Sequence, residues 1–371
     1  MILAGLPGCS NTGSPALDND AQNVSNEDEG LVYLSSLKLE YAENFSVDYY
    51  EGGYELLTAK DQKLFLVPEG MEAPAGVEED WIIINRPVEN VYLVASAAMD
   101  MIVQEGALNN ISYSGRKAED WYITEAADAM NEGKIKYAGK YSKPDYEMVV
   151  SGGCSLVIEN TMIYHSPEVI EQFENFGIPV LVEYSNYEDH PLGRVEWIKF
   201  FGALFDCEDR AGEIFEMQKE IVDEVDSYEK TDLTIAYFYI TSNNLFQVRR
   251  SADYIPKMIE IGGAKYIFEE LGDENDNRST LNMQAEDFYA GAKDADYLIY
   301  NTSIDGSVDS MGDLLEKCEL LKDFKAVKEG RVYCTTNDMY QQSLSAGYFI
   351  EDIHSIITGD EDELHYLYKL Y

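Results

Sequence analysis

Four arginines in predicted loops are the residues best suited to chemistry here: Arg116, Arg194, Arg249 and Arg250. A planar guanidinium fork pairs bidentately with carboxylate or catecholate oxygens. The chain has only 27 Lys and Arg against 70 Asp and Glu, so cations gathered in a few loops stand out. The competing reading is that they neutralise nearby acids such as Glu119, Glu196 and Asp253. Tyr113, Tyr164 and Tyr340 fall in or beside the same loops and suit stacking on a planar ligand with a wet edge. Tyr122 joins them, whereas Trp121 and Trp197, each beginning or occupying a helix, read more readily as core packing than as stacking groups.

Other reactive side chains carry less. His165 and His190 lie near these loops, and His354 and His365 lie far along the chain, so no clustered metal set is expected. Met162 and Met339 are soft donors at most, and methionine is usually core filler. Cys154, Cys207, Cys318 and Cys334 show no CxxC or zinc spacing; scattered buried thiols or two disulfides are both open. No GxSxG, HExxH, P-loop or GxGxxG occurs. Ser151-Gly152-Gly153-Cys154-Ser155 holds a possible thiol nucleophile without an identifiable histidine partner, which keeps a hydrolase as a weak rival.

The elements that position these loops follow from the apolar pattern. In α/β sheets ligands bind at the carboxyl ends of strands, and that rule selects loops at 112–116, 152–162, 184–194, 241–250, 301–307 and 335–341. The chain has 371 residues, enough for two domains and an appendage. Residues 31–84 read as short strands with a Glu51-Gly52-Gly53-Tyr54 hairpin turn, including a strand over 37–45. From residue 85 short apolar runs alternate with helical stretches, which predicts parallel sheets covered on both faces. One of these runs, 147–150, reads as a strand. Ala211, Ile214, Phe215, Gln218, Ile221, Val222 and Val225 recur at helical spacing, so a long helix is expected over 206–230 with acids in its first turn. The fold class is therefore α/β: two Rossmann-like lobes (85–205 and 231–371) joined by that helix, with a β-rich segment at 31–84 packing on the first lobe. Residues 1–30 are a leader remnant and polar tether.

The net charge is -43, which repels phosphate backbones and excludes a nucleic-acid partner. The same balance argues against attraction to an anionic lipid surface through basic residues. No run of 18 apolar residues spans a membrane. Leu6-Pro7-Gly8-Cys9 followed by polar residues resembles a bacterial lipoprotein processing site, in which Cys9 would be acylated and anchor an exported protein to the cell membrane.

The order of segments resembles the substrate-binding proteins of ABC importers for siderophores, haem and cobalamin. The residues that carry this are Arg86-Pro87 through Ala98, Lys143-Pro144-Asp145-Tyr146-Glu147, Phe176-Gly177-Ile178-Pro179-Val180, the midchain helix, Ile259 to Ala264, Asp294 to Ile299 and Phe324 to Tyr333. The resemblance implies a non-enzymatic, monomeric carrier that holds an iron-siderophore, haem or related chelate between two lobes and passes it to a membrane permease and its ATPase. A corrinoid suits the aromatic loops equally. It implies no resident cofactor and no protein-held metal. It also implies one docking glutamate on each lobe: Glu286 matches in the second, while the first-lobe position falls near Lys136-Tyr137, leaving Glu132 as a substitute. A surface adhesion protein using the Tyr-rich β segment is the rival from another class.

Overall fold

The computed structural model describes residues 30–272, 279–304, 306 and 308–371. Cys9 and the tether lie outside the described residues. Three sheets and one long helix organise the rest.

The first sheet is antiparallel over four strands: β1 (Tyr33–Ser36), β2 (Phe45–Tyr50), β3 (Tyr54–Ala59) and β4 (Gln62–Val67), with β5 (Ile82–Asn85) added parallel to β4. Gly52 and Gly53 take positive φ at the β2–β3 turn, which favours glycine. Residues 37–44 are not the strand their alternation suggests. Leu37 still donates to the Val47 carbonyl, but from residue 40 the amides leave the ladder and go to two buried carboxylates of the first lobe. Glu196 accepts from the N–H groups of Glu40, Tyr41 and Ala42, and Glu188 from those of Glu43 and Asn44, at 2.8–3.1 Å. Arg86 pairs bidentately with Glu55 on β3 and donates to the Ala203 carbonyl, which fastens this sheet to the helix Ile198–Phe205.

The first-lobe sheet holds β6 (Val91–Leu93), β7 (Ile111–Ser114), β8 (Lys136–Tyr137), β11 (Val157–Asn160) and β12 (Val180–Glu183), in the order β12-β11-β6-β7-β8 and all parallel. A small hairpin of β9 (Gly139–Lys140) and β10 (Lys143–Pro144) follows its outermost strand. β6, β11 and β12 are almost wholly buried, as a sheet covered on both faces requires. Residues 147–150 are helical, not extended: a helix spans Tyr146–Ser151, and the Asp145 carboxylate accepts the Met148 N–H at 3.0 Å to start it. An Asp N-cap outweighed a four-residue apolar run.

The second-lobe sheet has a parallel centre of β13 (Thr234–Ile240), β15 (Lys265–Tyr266), β17 (Tyr297–Tyr300) and β18 (Val332–Thr335). Antiparallel strands β14 (Phe246–Arg249), β16 (Thr280–Met283) and β19 (Leu367–Lys369) flank it. β14 is antiparallel because residues 241–245 reverse the chain tightly, with Asn244 at φ 58°.

The long helix Glu208–Asp226 joins the lobes. Its buried stripe is Ala211, Ile214, Phe215, Gln218, Val222 and Val225, and Glu208 and Asp209 occupy its first turn. On one side Ala211 meets Gly202 so closely that a Cβ there would approach to 2.6 Å. On the other, Gln218 accepts the Gly347 N–H at 3.0 Å, tying the rod to the second-lobe helix Ala346–Thr358.

Candidate ligand-binding site

A cleft of about 640 Å³ opens between the carboxyl ends of the two parallel sheets. The first lobe contributes Arg116 after β7 and Arg194 after β12; the second contributes Arg249 at the end of β14 and Tyr340 after β18.

Arg194 sits on the short helix Pro191–Glu196, started by the imidazole of His190, whose Nδ1 accepts the Leu192 N–H at 3.1 Å. Its Nη2 donates to the Asn186 carbonyl at 2.6 Å and its Nε to the Glu188 carbonyl at 3.2 Å. Its guanidinium carbon lies 3.6 Å from the centre of the Tyr254 ring, so the two lobes meet in a cation–π stack. Arg116 is placed by Ser114, whose hydroxyl accepts the Arg116 N–H at 3.0 Å and donates to its carbonyl at 2.9 Å. The Trp121 indole also donates to that hydroxyl and lies 5.7 Å from the guanidinium. Among the described residues neither Arg116 nor Arg194 forms an ion pair with a carboxylate. Glu119 pairs with Lys117 and Glu196 with Lys199, so the acids expected to neutralise these arginines are engaged elsewhere.

Arg249 is different. Its Nη1 lies 3.5 Å from Asp253, and its Nη2 donates to the Tyr340 hydroxyl. The rings of Tyr237, Tyr254 and Tyr340 surround it at 5.5–6.0 Å. Tyr340 also hydrogen-bonds Tyr237 at 2.8 Å and accepts from Asn301 at 3.1 Å. Burial holds Tyr237 and Tyr254 above the ordinary phenol value, so both stay neutral. The second lobe thus presents a fixed phenol–guanidinium floor.

Three candidates lie elsewhere. Tyr113 is buried, its hydroxyl filling the space beside Gly152. Tyr164 is exposed on a short 3-10 helix, bonded to Tyr184 rather than facing the cleft. Arg250 is buried behind the cleft against Gly272 and the Thr280 carbonyl. Arg249 closes β14 and lines the cleft, while Arg250, the first residue beyond the strand, is turned away from it. Trp197 is a core residue donating to Glu188. His165 is exposed, and among the described residues no group of three His, Cys, Asp or Glu side chains is placed to hold a metal. Glu286 is exposed in the first turn of the helix Ala285–Ala292; Glu132 is exposed and paired with Lys134 at 2.7 Å.

Two residues that build the site escaped sequence reading. Tyr254 reads only as a helix start behind the Asp253 cap. Gln341 reads as the end of a loop, yet its amide accepts the Tyr122 N–H and donates to the Asp120 carbonyl, both at 2.9 Å, and so clamps the lobes together.

Comparison with known proteins agrees with this geometry. The model of the periplasmic binding protein family matches residues 95–339, more than half of the chain. The chain belongs to the periplasmic binding protein family. It is a binding protein of the ABC-transporter class, not an enzyme. An uncharacterized lipoprotein of Methanocaldococcus jannaschii is 24% identical to it, over 93% of this chain and 87% of that one. The periplasmic haem-binding protein HutB of Vibrio cholerae has the same fold, with a TM-score of 0.58 at 13% identity, covering 71% of this chain and 97% of the other. So does an ABC-type Fe3+-hydroxamate transport protein from Saccharomonospora viridis, at 0.56 and 20%, covering 73% and 93%. Among the described residues of this binding protein no helix is long and apolar enough to cross a membrane, and Cys154, Cys207, Cys318 and Cys334 are free thiols.

Proposed function

We propose that this binding protein captures an anionic, oxygen-rich iron chelate and delivers it to a membrane permease. One observation carries the reading. In a chain of net charge -43, two guanidinium groups face the cleft without a carboxylate partner among the described residues. Cations without a carboxylate partner on one wall and the phenol–guanidinium floor on the other suit a ligand bearing carboxylate or catecholate oxygens. Among the described residues the remaining lining is mostly amide, hydroxyl and carboxylate, with Ile304 as its aliphatic member and no histidine. That favours a chelate that brings its own metal donors over haem, whose macrocycle needs apolar plates and an axial ligand. A corrinoid is disfavoured on the same ground. The relatives named as a haem binder and an Fe3+-hydroxamate transport protein support the iron class as a whole.

In this reading the carrier is an extracytoplasmic monomer held to the membrane by a lipid on Cys9. Glu286 is the permease contact of the second lobe, and Glu132 that of the first. The test is the absorbance of protein purified from its native host. A visible charge-transfer band supports the chelate. A Soret band or a corrinoid spectrum overturns it.

A further inference from the structure

The overall charge hides one strongly basic patch. Lys134, Lys136, Lys140 and Lys143 fall within ten residues of a chain that has 27 basic residues in 371. The fold gathers them at the edge of the first-lobe sheet: Lys134 in the turn before the outermost strand β8, Lys136 on β8, and Lys140 and Lys143 on the β9–β10 hairpin behind it. All four are exposed, and Tyr137 between them is 41% exposed. Lys136, Lys140 and Lys143 form no ion pair among the described residues. Of the flanking acids, Glu132 pairs with Lys134 and so offsets one of the four charges, Asp145 caps the next helix and Glu119 pairs with Lys117, while the exposed Glu147 of that helix forms no ion pair among the described residues.

The hairpin is built rather than loose. The Ala138 N–H donates to the Ser114 carbonyl, the Asp145 N–H to the Ala138 carbonyl, and the buried Tyr92 hydroxyl to the Gly139 carbonyl at 2.8 Å. Gly139 has φ 92°, and a Cβ there would come within 2.3 Å of the Lys143 carbonyl oxygen, so only glycine closes this turn. The Ala138–Ser114 bond sets the hairpin beside the 114–116 turn that carries Arg116, at the carboxyl end of the sheet.

We infer that this hairpin is a docking surface for an anionic lipid bilayer. Flexible lysines around the exposed Tyr137 match a sheet of phosphate headgroups. Protein interfaces are depleted in lysine, so an acidic protein partner fits less well. The -43 of the body does not cancel the attraction, because charges beyond about 8 Å are largely screened at physiological ionic strength. Net charge describes the whole surface; contact is decided by the patch that touches. Docked this way, the first lobe would hold the cleft's Arg116 edge toward the membrane, with Glu132 at the rim of the patch meeting the permease while the hairpin lysines meet the surrounding headgroups. The inference does not depend on which cargo the cleft takes.

The test is vesicle co-sedimentation of the full chain carrying Cys9→Ser, so that no acyl group contributes. The vesicles are equimolar phosphatidylglycerol and phosphatidylcholine, against phosphatidylcholine alone. Binding to the anionic vesicles only, weakened by salt, is expected. The triple variant Lys136→Gln, Lys140→Gln, Lys143→Gln should lose about a hundredfold in partitioning, and Lys140→Gln alone about fivefold, an effect that stands if the triple variant folds poorly. A control triple of ion-paired lysines (Lys257→Gln, Lys265→Gln, Lys322→Gln) removes the same charge and should bind as the parent does. No binding to anionic vesicles, or equal losses in the two triples, would overturn the inference. So would hairpin-dependent binding to polyglutamate with none to vesicles, which would point to an acidic protein instead.

Discussion

The guanidinium of Arg194, carried by the first lobe, stacks 3.6 Å from the ring centre of Tyr254, carried by the second. One cation therefore does two things: it faces the cleft and it joins the lobes across it. Charge reversal, Arg194→Glu, should weaken ferric chelate binding at least tenfold by fluorescence titration. Tyr254→Phe keeps the stack and should leave affinity within about twofold, while Tyr254→Ala should weaken it, since a buried cation–π contact is worth about 2 kcal/mol. Equal affinities for parent and Arg194→Glu would remove Arg194 from the site.

The docking of the β-rich segment rests on Glu196, a fully buried carboxylate that accepts three backbone N–H groups and pairs with Lys199 at 2.8 Å. Glu196→Ala strands those donors and should cost about 3–5 kcal/mol, read as a lower denaturant midpoint. Proteolysis should then release the segment before the lobes unfold. An unchanged midpoint would show that the sheet holds by other contacts.

Much of the fold is legible in the sequence, and the exceptions share a cause. β6, β12, β13, β17 and β18 announce themselves as short buried apolar runs between helices, and the Ala211–Val225 stripe announces the rod, whereas β11 falls inside 152–162, which reads as a loop. Residues 37–44 misled because their hydrogen-bond acceptors, Glu188 and Glu196, lie some 150 residues away, beyond any local pattern. The site shows the same split. Arg116, Arg194, Arg249 and Tyr340 are visible as loop residues after strands. Tyr254 and Gln341 matter through partners on the other lobe, which no window of sequence contains. Tyr113 lies at the end of a strand, where the direction of one side chain decides between cleft and core.

Two buried glutamates make stability fall with rising pH. Among the described residues both carboxyl oxygens of Glu159 and of Glu105 lack a partner, and burial pushes their pKa values up to about 8 and about 9. The unfolded values lie near 4.3. Between those limits the folded state holds protons that the unfolded state has released, so stability is full below about pH 4.5 and is lost as pH rises toward 9. Glu159→Gln should flatten its share of that decline in melting temperatures taken from pH 5 to 9. A slope unchanged by both Gln substitutions would assign the decline to other groups.

The charge of -43 opposes compaction. Salt shortens the reach of that repulsion from about 30 Å at 0.01 M to about 3 Å at 1 M. Melting temperature should therefore rise with sodium chloride over that range, and a flat response would mean that the acidic surface is already neutralised by bound cations.

The most direct measurement is calorimetric titration of the purified chain and of its Arg116→Ala, Arg194→Ala double variant with a ferric carboxylate or catecholate chelate, haemin and cobalamin. Saturable one-to-one binding of the chelate, at least a hundredfold weaker in the double variant and far tighter than either macrocycle, is the expected result. Tight haemin or cobalamin binding that ignores both arginines would contradict it.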